Sequence, residues 1–393
     1  MSRINIDLFK KDYSKIGLSD NPFPYSGVPE DEPHIYVDRE EAIKAINNVL
    51  STIISTGKSS HLIVTGAYGS GKSHTLKYVR SEIRRQFTGV DGTKVCIGYV
   101  SQPGETFLDI YREFIYDLGY DFIKKISEQY IGLVAYQLSE EKVIKEKVPI
   151  EKGWEMVNSG KLLISDIVPH AIKRLNQQVK FIDFSRAFLN LTYEDNSIYS
   201  WEWLNGEGVD YIKRRDMGVS KSLDGKTAIR AFISLKKVLR ELGYSTVILL
   251  IDEFEYIETL SPGAKQKMIN EIRHLIDLNP ENLTMIITCA PEVWQSLLSE
   301  YHAFSERVAK EVNLKPMTGD KVKELLSEYL ARKRLDQTKG IVPFTEESIK
   351  KILELSQGNT RRILAISSRL LDIALEQEKT EIDAKIIDEI SSI

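Results

Sequence analysis

Gly66-Ala67-Tyr68-Gly69-Ser70-Gly71-Lys72-Ser73 fits the pattern G-x-x-x-x-G-K-[ST] in full, and it stands between an apolar run, His61 to Thr65, and a helical pattern beginning near Lys72. Strand, glycine-rich turn and helix start, in that order, predict a phosphate loop. Gly66, Gly69 and Gly71 let the backbone turn tightly so that successive N–H groups face phosphate oxygens, and the helix N-terminus adds its positive dipole end. Lys72 is expected to reach the β and γ phosphates and the Ser73 hydroxyl to bind Mg²⁺. Together with His74, these residues form the expected nucleotide-binding stretch, and ATP is the expected ligand.

A second stretch, Thr246-Val-Ile-Leu-Leu-Ile-Asp-Glu-Phe-Glu255, reads as an uninterrupted apolar strand ending in acids. Strands buried on both faces of a parallel sheet have this composition, and α/β sheets place ligands at the carboxyl ends of such strands. Asp252 is expected in the Mg²⁺ shell with Ser73. Glu253 is expected to orient or deprotonate the attacking water.

The 393 residues are too many for one compact core and predict two or three units. An apolar share of 42% and a charged share of 28% are ordinary for a globular protein. No apolar run approaches a membrane span and the first residues lack a signal-peptide core, so a cytoplasmic location and no membrane partner are expected. Cys96 and Cys289 lie in apolar strand-like segments without CxxC spacing and read as small buried hydrophobes. A net charge of −4 gives no global basic field, so any nucleic-acid contact must come from a local patch.

The hydrophobic periods predict an α/β fold: a three-layer core around a parallel sheet, a largely helical insertion and a C-terminal α-helical lid. The expected divisions are a turn-rich N-terminal strap over 1–40, the α/β core over 41–316 with the insertion at about 120–224, and the lid over 317–393. Within the core, helices are expected from Glu40 to about Thr56, from the phosphate loop to about Gln86, from Thr106 to Leu118, from Lys226 to Leu242 and from Ala264 to Leu278. Strands are expected at Lys94 to Val100, Leu283 to Thr288 and Val312 to Pro316. Everything after Met317 is expected to be helical.

Several residues beyond the two acid and phosphate motifs resemble those of AAA+ ATPases, in particular the origin-recognition and initiator-like group with its relatives in transposition regulation, secretion and phage defence. Thr288, at the end of its strand, matches the sensor 1 position, where Asn is common in that family. Gly358-Asn359-Thr360-Arg361-Arg362 resembles the sensor 2 turn, which implies that Arg361 reaches back to the γ phosphate. A DNA-reading helix-turn-helix and a solvated Arg pair are the competing readings. Arg307, in Ser305-Glu306-Arg307-Val308, matches the interval of the arginine finger, which acts on the nucleotide of a neighbouring subunit. A solvated surface Arg is the other reading. Ile35-Tyr36-Val37-Asp38-Arg39-Glu40 resembles the adenine-wrapping segment, which implies that Tyr36 and Val37 line the base pocket. The sequence runs out just after the lid helix expected over Asp383 to Ile390, so the winged-helix domain usual in that group is not expected.

The insertion carries Trp154, Tyr193, Tyr199, Trp201, Trp203 and Tyr211, followed by Lys213, Arg214 and Arg215. Such a set can stack bases and neutralise phosphates, form a small core with a solvated basic edge, or anchor a protein partner. The combined expectation is an ATP- and Mg²⁺-dependent AAA+ ATPase, homo-oligomeric, that couples nucleotide state to self-assembly or to a DNA-linked partner. A protein-remodelling or regulatory nucleotide switch without direct DNA binding is the alternative.

Overall fold

A computed structural model describes residues 11–25, 33–87, 93–308, 310–336, 340–384 and 386–387. The chain runs α1 (Glu40–Thr56), β1 (Leu62–Gly66), α2 (Lys72–Gln86), β2 (Lys94–Val100) and α3 (Phe107–Leu118). A helical stretch follows: α4 (Tyr120–Glu140), α5 (Gly153–Asn158), α6 (Ile164–Val179), α7 (Ile182–Asn190), α8 (Glu194–Leu204) and α9 (Tyr211–Met217). Then come α10 (Gly225–Glu241), β3 (Tyr244–Ile251), α11 (Pro262–Leu278), β4 (Leu283–Cys289), α12 (Pro291–Glu300), α13 (His302–Ser305) and β5 (Lys310–Leu314). Three helices complete the order: α14 (Gly319–Ala331), α15 (Glu346–Ser356) and α16 (Thr360–Glu376).

The strands form one five-stranded sheet in the order β2-β3-β4-β1-β5, with β2 parallel to β3 and β3 parallel to β4. The α/β fold expected from the periodicity is the one observed. β3 and β4 are buried almost throughout, as strands covered on both faces must be. No helix of the described residues is long and apolar enough to cross a membrane.

Two details depart from the expected pattern. The last strand is Lys310–Leu314 and stops before Pro316, which has no amide hydrogen to give to a ladder. The lid is not helical throughout: α14 ends at Ala331 and α15 starts at Glu346, the gap containing Gly340 with φ 147° and Pro343, both poor helix residues. The helix expected over Asp383 to Ile390 falls partly outside the described residues, as do residues 1–10 and 26–32 of the expected N-terminal strap.

By its internal contacts the chain divides into two compact units: residues 1–44, 64–81 and 312–393 form one, and 45–63 and 82–311 the other. Unit one has its own core, in which Tyr13, Ile16, Leu18 and Phe23 pack with lid residues such as Leu326, Leu330, Ile363 and Leu371. Ser19 N donates to Lys333 O at 2.7 Å, tying the N-terminal segment to the end of α14. In unit two the residues of β2, β3 and β4 share one continuous apolar cluster with α3, α4, α6, α7 and α10. α3 lies so close over β2 that a Cβ on Gly98 would come within 2.4 Å of the Phe114 ring. Cys96 and Cys289 are both buried in this cluster and are not joined in a disulfide.

Candidate nucleotide site

In unit one the phosphate loop leaves β1 and enters α2 at Lys72. Gly69 and Gly71 hold φ values of +78° and +98°, a left-handed backbone that side chains with a Cβ avoid. Gly69 is also closed off by packing, since a Cβ there would lie 2.5 Å from Asn359 Oδ1 and 3.1 Å from the Arg361 Cβ. Ser70 N donates to Ala67 O at 3.1 Å and closes the turn. Lys72 is buried and its ammonium donates to Gly66 O at 2.9 Å. The Ser70 hydroxyl is buried without a hydrogen-bond partner, a polar atom at the loop that a ligand or water can satisfy. Ser73, one residue into α2, is half-buried, and Ala67 and Tyr68 are exposed.

The turn between α15 and α16 sits directly on this loop. Asn359 caps α16, its Oδ1 accepting from Arg362 N at 3.2 Å, while its Nδ2 donates to Tyr68 O at 2.5 Å. One side chain thus closes a helix and grips the loop. Arg361 N donates to Gly69 O at 3.1 Å, Arg361 Nη1 donates to the Tyr68 hydroxyl, and the guanidinium lies 4.8 Å from the Tyr68 ring centre. Cation–π geometry of this kind contributes about 0.5–1 kcal/mol at exposed sites.

Arg39 was not singled out by the sequence. A lone Arg between Asp38 and Glu40 reads as solvated, yet it is only 8% exposed. Its Nη2 donates to Ser70 O at 2.7 Å and to Thr360 Oγ1 at 3.2 Å, and its Nη1 to Asp38 O at 2.8 Å. It therefore joins the phosphate loop to the first residue of α16. Burial pulls its pKa below the ordinary guanidinium value. Nearby, the half-buried Tyr36 stacks on Tyr78 with ring centres 4.4 Å apart and donates to Thr75 Oγ1 at 3.0 Å. Burial pushes its phenol up to about 12, so it is neutral. His74 lies parallel to Tyr36 and its Nε2 is 2.6 Å from Ile35 O. Val37 is buried among the apolar residues of this unit.

In unit two β3 delivers Asp252, 2% exposed, to its end. Three donors converge on that carboxylate: Tyr99 OH at 2.7 Å on Oδ2, and Glu253 N at 3.0 Å and the Thr288 hydroxyl on Oδ1. Thr288 and Asp252 thus meet at the ends of their strands. Tyr99, from β2, had no sequence signal. Glu253 adopts φ 47° and ψ 41°, a left-handed conformation costing a non-glycine residue on the order of 1–2 kcal/mol. Such strain persists only where the surroundings fix it.

Arg307 belongs to the same unit. Its Nη2 donates to Asp277 Oδ2 at 3.1 Å, its Nε donates to the other carboxylate oxygen, and Nη1 donates to Ala303 O. Asp277 holds the Arg307 pKa above its ordinary value. In the helical stretch, Trp203 is buried and donates from Nε1 to Lys221 O at 2.8 Å, while Trp154, Tyr193, Tyr199 and Trp201 pack partly buried against the core. Of the six aromatics only Tyr211 is widely exposed, at 70%. Lys213 lies 4.2 Å from the Tyr199 ring centre, Arg214 donates to Ser220 O at 3.5 Å, and Arg215 pairs with Asp216 at 3.4 Å.

Comparison with known proteins bears on the family and the fold. The family profile described as BREX system ATP-binding protein BrxC/D matches residues 26–387, so the chain belongs to that family of ATP-binding proteins. An uncharacterized HTH-type transcriptional regulator of Methanocaldococcus jannaschii is 27% identical over 143 residues, which is 36% of this chain and 34% of that protein. Among solved structures, the ORC2 protein of Aeropyrum pernix in ADPNP–ADP complexes superposes with a TM-score of 0.52 at 10% identity, over 96% of this chain and 72% of that one. Its ADP form gives 0.53 at 10% identity, over 92% and 69%. At such identity the likeness is one of fold, and the resemblance to origin-recognition AAA+ proteins holds at that level.

Proposed function

We propose that this BrxC/D family member is a cytosolic AAA+ ATPase that binds ATP with Mg²⁺, hydrolyses it slowly, and couples nucleotide state to self-assembly or to action on a DNA-linked partner. The observation that carries this reading is the seat of the α15–α16 turn on the phosphate loop, with Asn359 and Arg361 taking the carbonyls of Tyr68 and Gly69. A guanidinium held there can exchange its contact with Tyr68 for one with phosphate. Nucleotide binding and lid position are then one equilibrium, biased by the difference in contacts that each state makes.

The donor set fits the metal. Ser73 offers an alcohol oxygen and Asp252 a carboxylate, hard donors of the kind Mg²⁺ takes beside water and phosphate oxygens. When bound, Mg²⁺ neutralises charge on the β and γ phosphates. The protein's own groups do the rest: Lys72 and the loop amides from Gly66 to Ser73 hold the polyphosphate, and Glu253 orients a water and takes its proton. Thr288 fixes Asp252, and Arg361 senses the γ phosphate. The base is assigned to the segment of Tyr36 and Val37, beside His74. Arg307 is assigned to the nucleotide of a neighbouring copy. Leaving Asp277 costs it little, since a partly exposed ion pair is worth about 0–1 kcal/mol.

A second reading, a regulatory switch without direct DNA binding, is favoured by one observation: Lys213, Arg214 and Arg215 each have a partner within their own unit. Native mass measured with and without a non-hydrolysable ATP analogue, and with and without duplex DNA, tests both. A mass that rises with the analogue supports assembly, and DNA retained in the complex removes the second reading. Lys72→Ala is expected to abolish ATP binding in calorimetry, because a buried polyphosphate loses its main point charge. Undiminished affinity overturns the phosphate-loop assignment.

A further inference from the structure

Tyr99 has no role in the function just proposed, and it makes the best-formed hydrogen bond to the acid on which that function depends. It stands next to last in β2, opposite Leu250 of β3, so Asp252 lies two residues beyond its partner and on the same face of the sheet. From there the phenol donates to Asp252 Oδ2 at 2.7 Å. The backbone beneath it is fixed from the other side. Tyr99 N donates to Asp117 Oδ2 at 2.8 Å, and Asp117 is paired with Arg84 at 2.7 Å. Asp252 N completes the frame by donating to Val100 O at 2.9 Å.

A carboxylate has about four acceptor positions, two on each oxygen. On Asp252 the Thr288 hydroxyl and the Glu253 amide both take Oδ1, whereas Oδ2 receives Tyr99. Oδ2 is therefore the oxygen with an acceptor position to spare, and Tyr99 is the group that sets its direction. With Asp252 only 2% exposed, water is a poor substitute for a missing donor.

We infer that Tyr99 is a positioning residue for magnesium: its hydroxyl holds the Asp252 carboxylate turned so that Oδ2 is ready to serve the Mg²⁺ of the bound nucleotide. Partners that orient a metal-binding group in this way commonly contribute about 10–100-fold to metal affinity. The phenol acts through Asp252 and touches neither metal nor phosphate. The inference rests on the ATP·Mg²⁺ reading given above.

Tyr99→Phe removes the hydroxyl and keeps the ring, so the packing at the end of β2 is preserved. ATP binding is measured by calorimetry across a Mg²⁺ titration, starting from metal-free ATP in EDTA, for the parent protein and for Tyr99→Phe. The expected result is that half-maximal Mg²⁺ enhancement of binding shifts to at least about tenfold higher metal concentration, while metal-free ATP affinity is unchanged. Thr288→Val, which strips a donor from Oδ1, serves as the reference for removal of a neighbouring donor. A Mg²⁺ midpoint in Tyr99→Phe equal to the parent's makes Tyr99 a packing residue and overturns the inference alone. A midpoint at lower Mg²⁺ means the hydroxyl competes with the metal and overturns it as well. A parent protein whose ATP binding ignores Mg²⁺ overturns both the inference and the metal part of the function beneath it.

Discussion

The phosphate loop of unit one and the acidic strand end of unit two are built from opposite kinds of groups. In unit one the phosphate loop is surrounded by cations and amides: Arg39 donates to Ser70 O, Lys72 to Gly66 O, and the lid turn gives the amide of Arg361 to Gly69 O and that of Asn359 to Tyr68 O. The loop acceptors are neutral backbone carbonyls, and Arg39 also pairs with Asp38 at 3.6 Å. In unit two the three donors to Asp252 are two hydroxyls and a backbone amide, all neutral. A magnesium–nucleotide complex carries both signs. On the proposed reading, unit one supplies what phosphate needs and unit two what the metal and the attacking water need.

Arg307 is the sharpest challenge to that division, because it is a strong cation in the acidic unit. If it is a finger acting across copies, Arg307→Ala binds ATP as the parent does and its turnover falls on the order of a thousandfold, as expected for fingers supplied in trans. Mixing it with Lys72→Ala then restores part of the activity, since one copy brings a good pocket and the other a good finger. Full activity of Arg307→Ala alone, or a mixture that co-assembles and stays inactive, reduces Arg307 to the surface partner of Asp277.

The acidic half is probed by Glu253→Gln, which leaves charge on Asp252 and removes only the base. ATP affinity is expected to hold while single-turnover hydrolysis slows at least roughly a hundredfold. Turnover near the parent's removes Glu253 from the chemistry and leaves its left-handed backbone without a catalytic reason.

A smaller effect concerns a basic cluster in unit two. If Lys213, Arg214 and Arg215 meet phosphate, replacing all three by Ala flattens the plot of log DNA affinity against log salt by about 0.9 for each phosphate no longer neutralised. An unaltered slope assigns them to their internal partners. The smallest effect is expected from Asn359→Ala, which removes a helix cap and a hydrogen bond to the loop together. Its cap alone is worth about 1 kcal/mol, a drop of about 2–4 °C in melting midpoint without nucleotide. A midpoint like the parent's means the lid turn is not clasped to the loop in solution.

The sequence by itself determined what local order can encode. Gly66 to Ser73 and Thr246 to Glu255 are contiguous, and their composition follows from backbone geometry and burial, so phosphate loop, buried strand and acid pair were legible without coordinates. The helix starting at Glu40, the strand Lys94 to Val100 and the strand beginning at Leu283 were legible from hydrophobic period for the same reason. Only the tertiary structure decided which long-range partners these motifs take. Arg39 lies some thirty residues before Ser70, yet it holds that residue's carbonyl, and Asn359 reaches Tyr68 from the far end of the chain. Tyr99 and Thr288 meet Asp252 from two other strands. Most of the aromatic run of the insertion went into a core and not onto a surface. Period and motif record which face of an element is apolar and which turn binds an anion. They say nothing of a hydrogen bond between side chains brought together by folding, and that is where this site acquires its second set of residues.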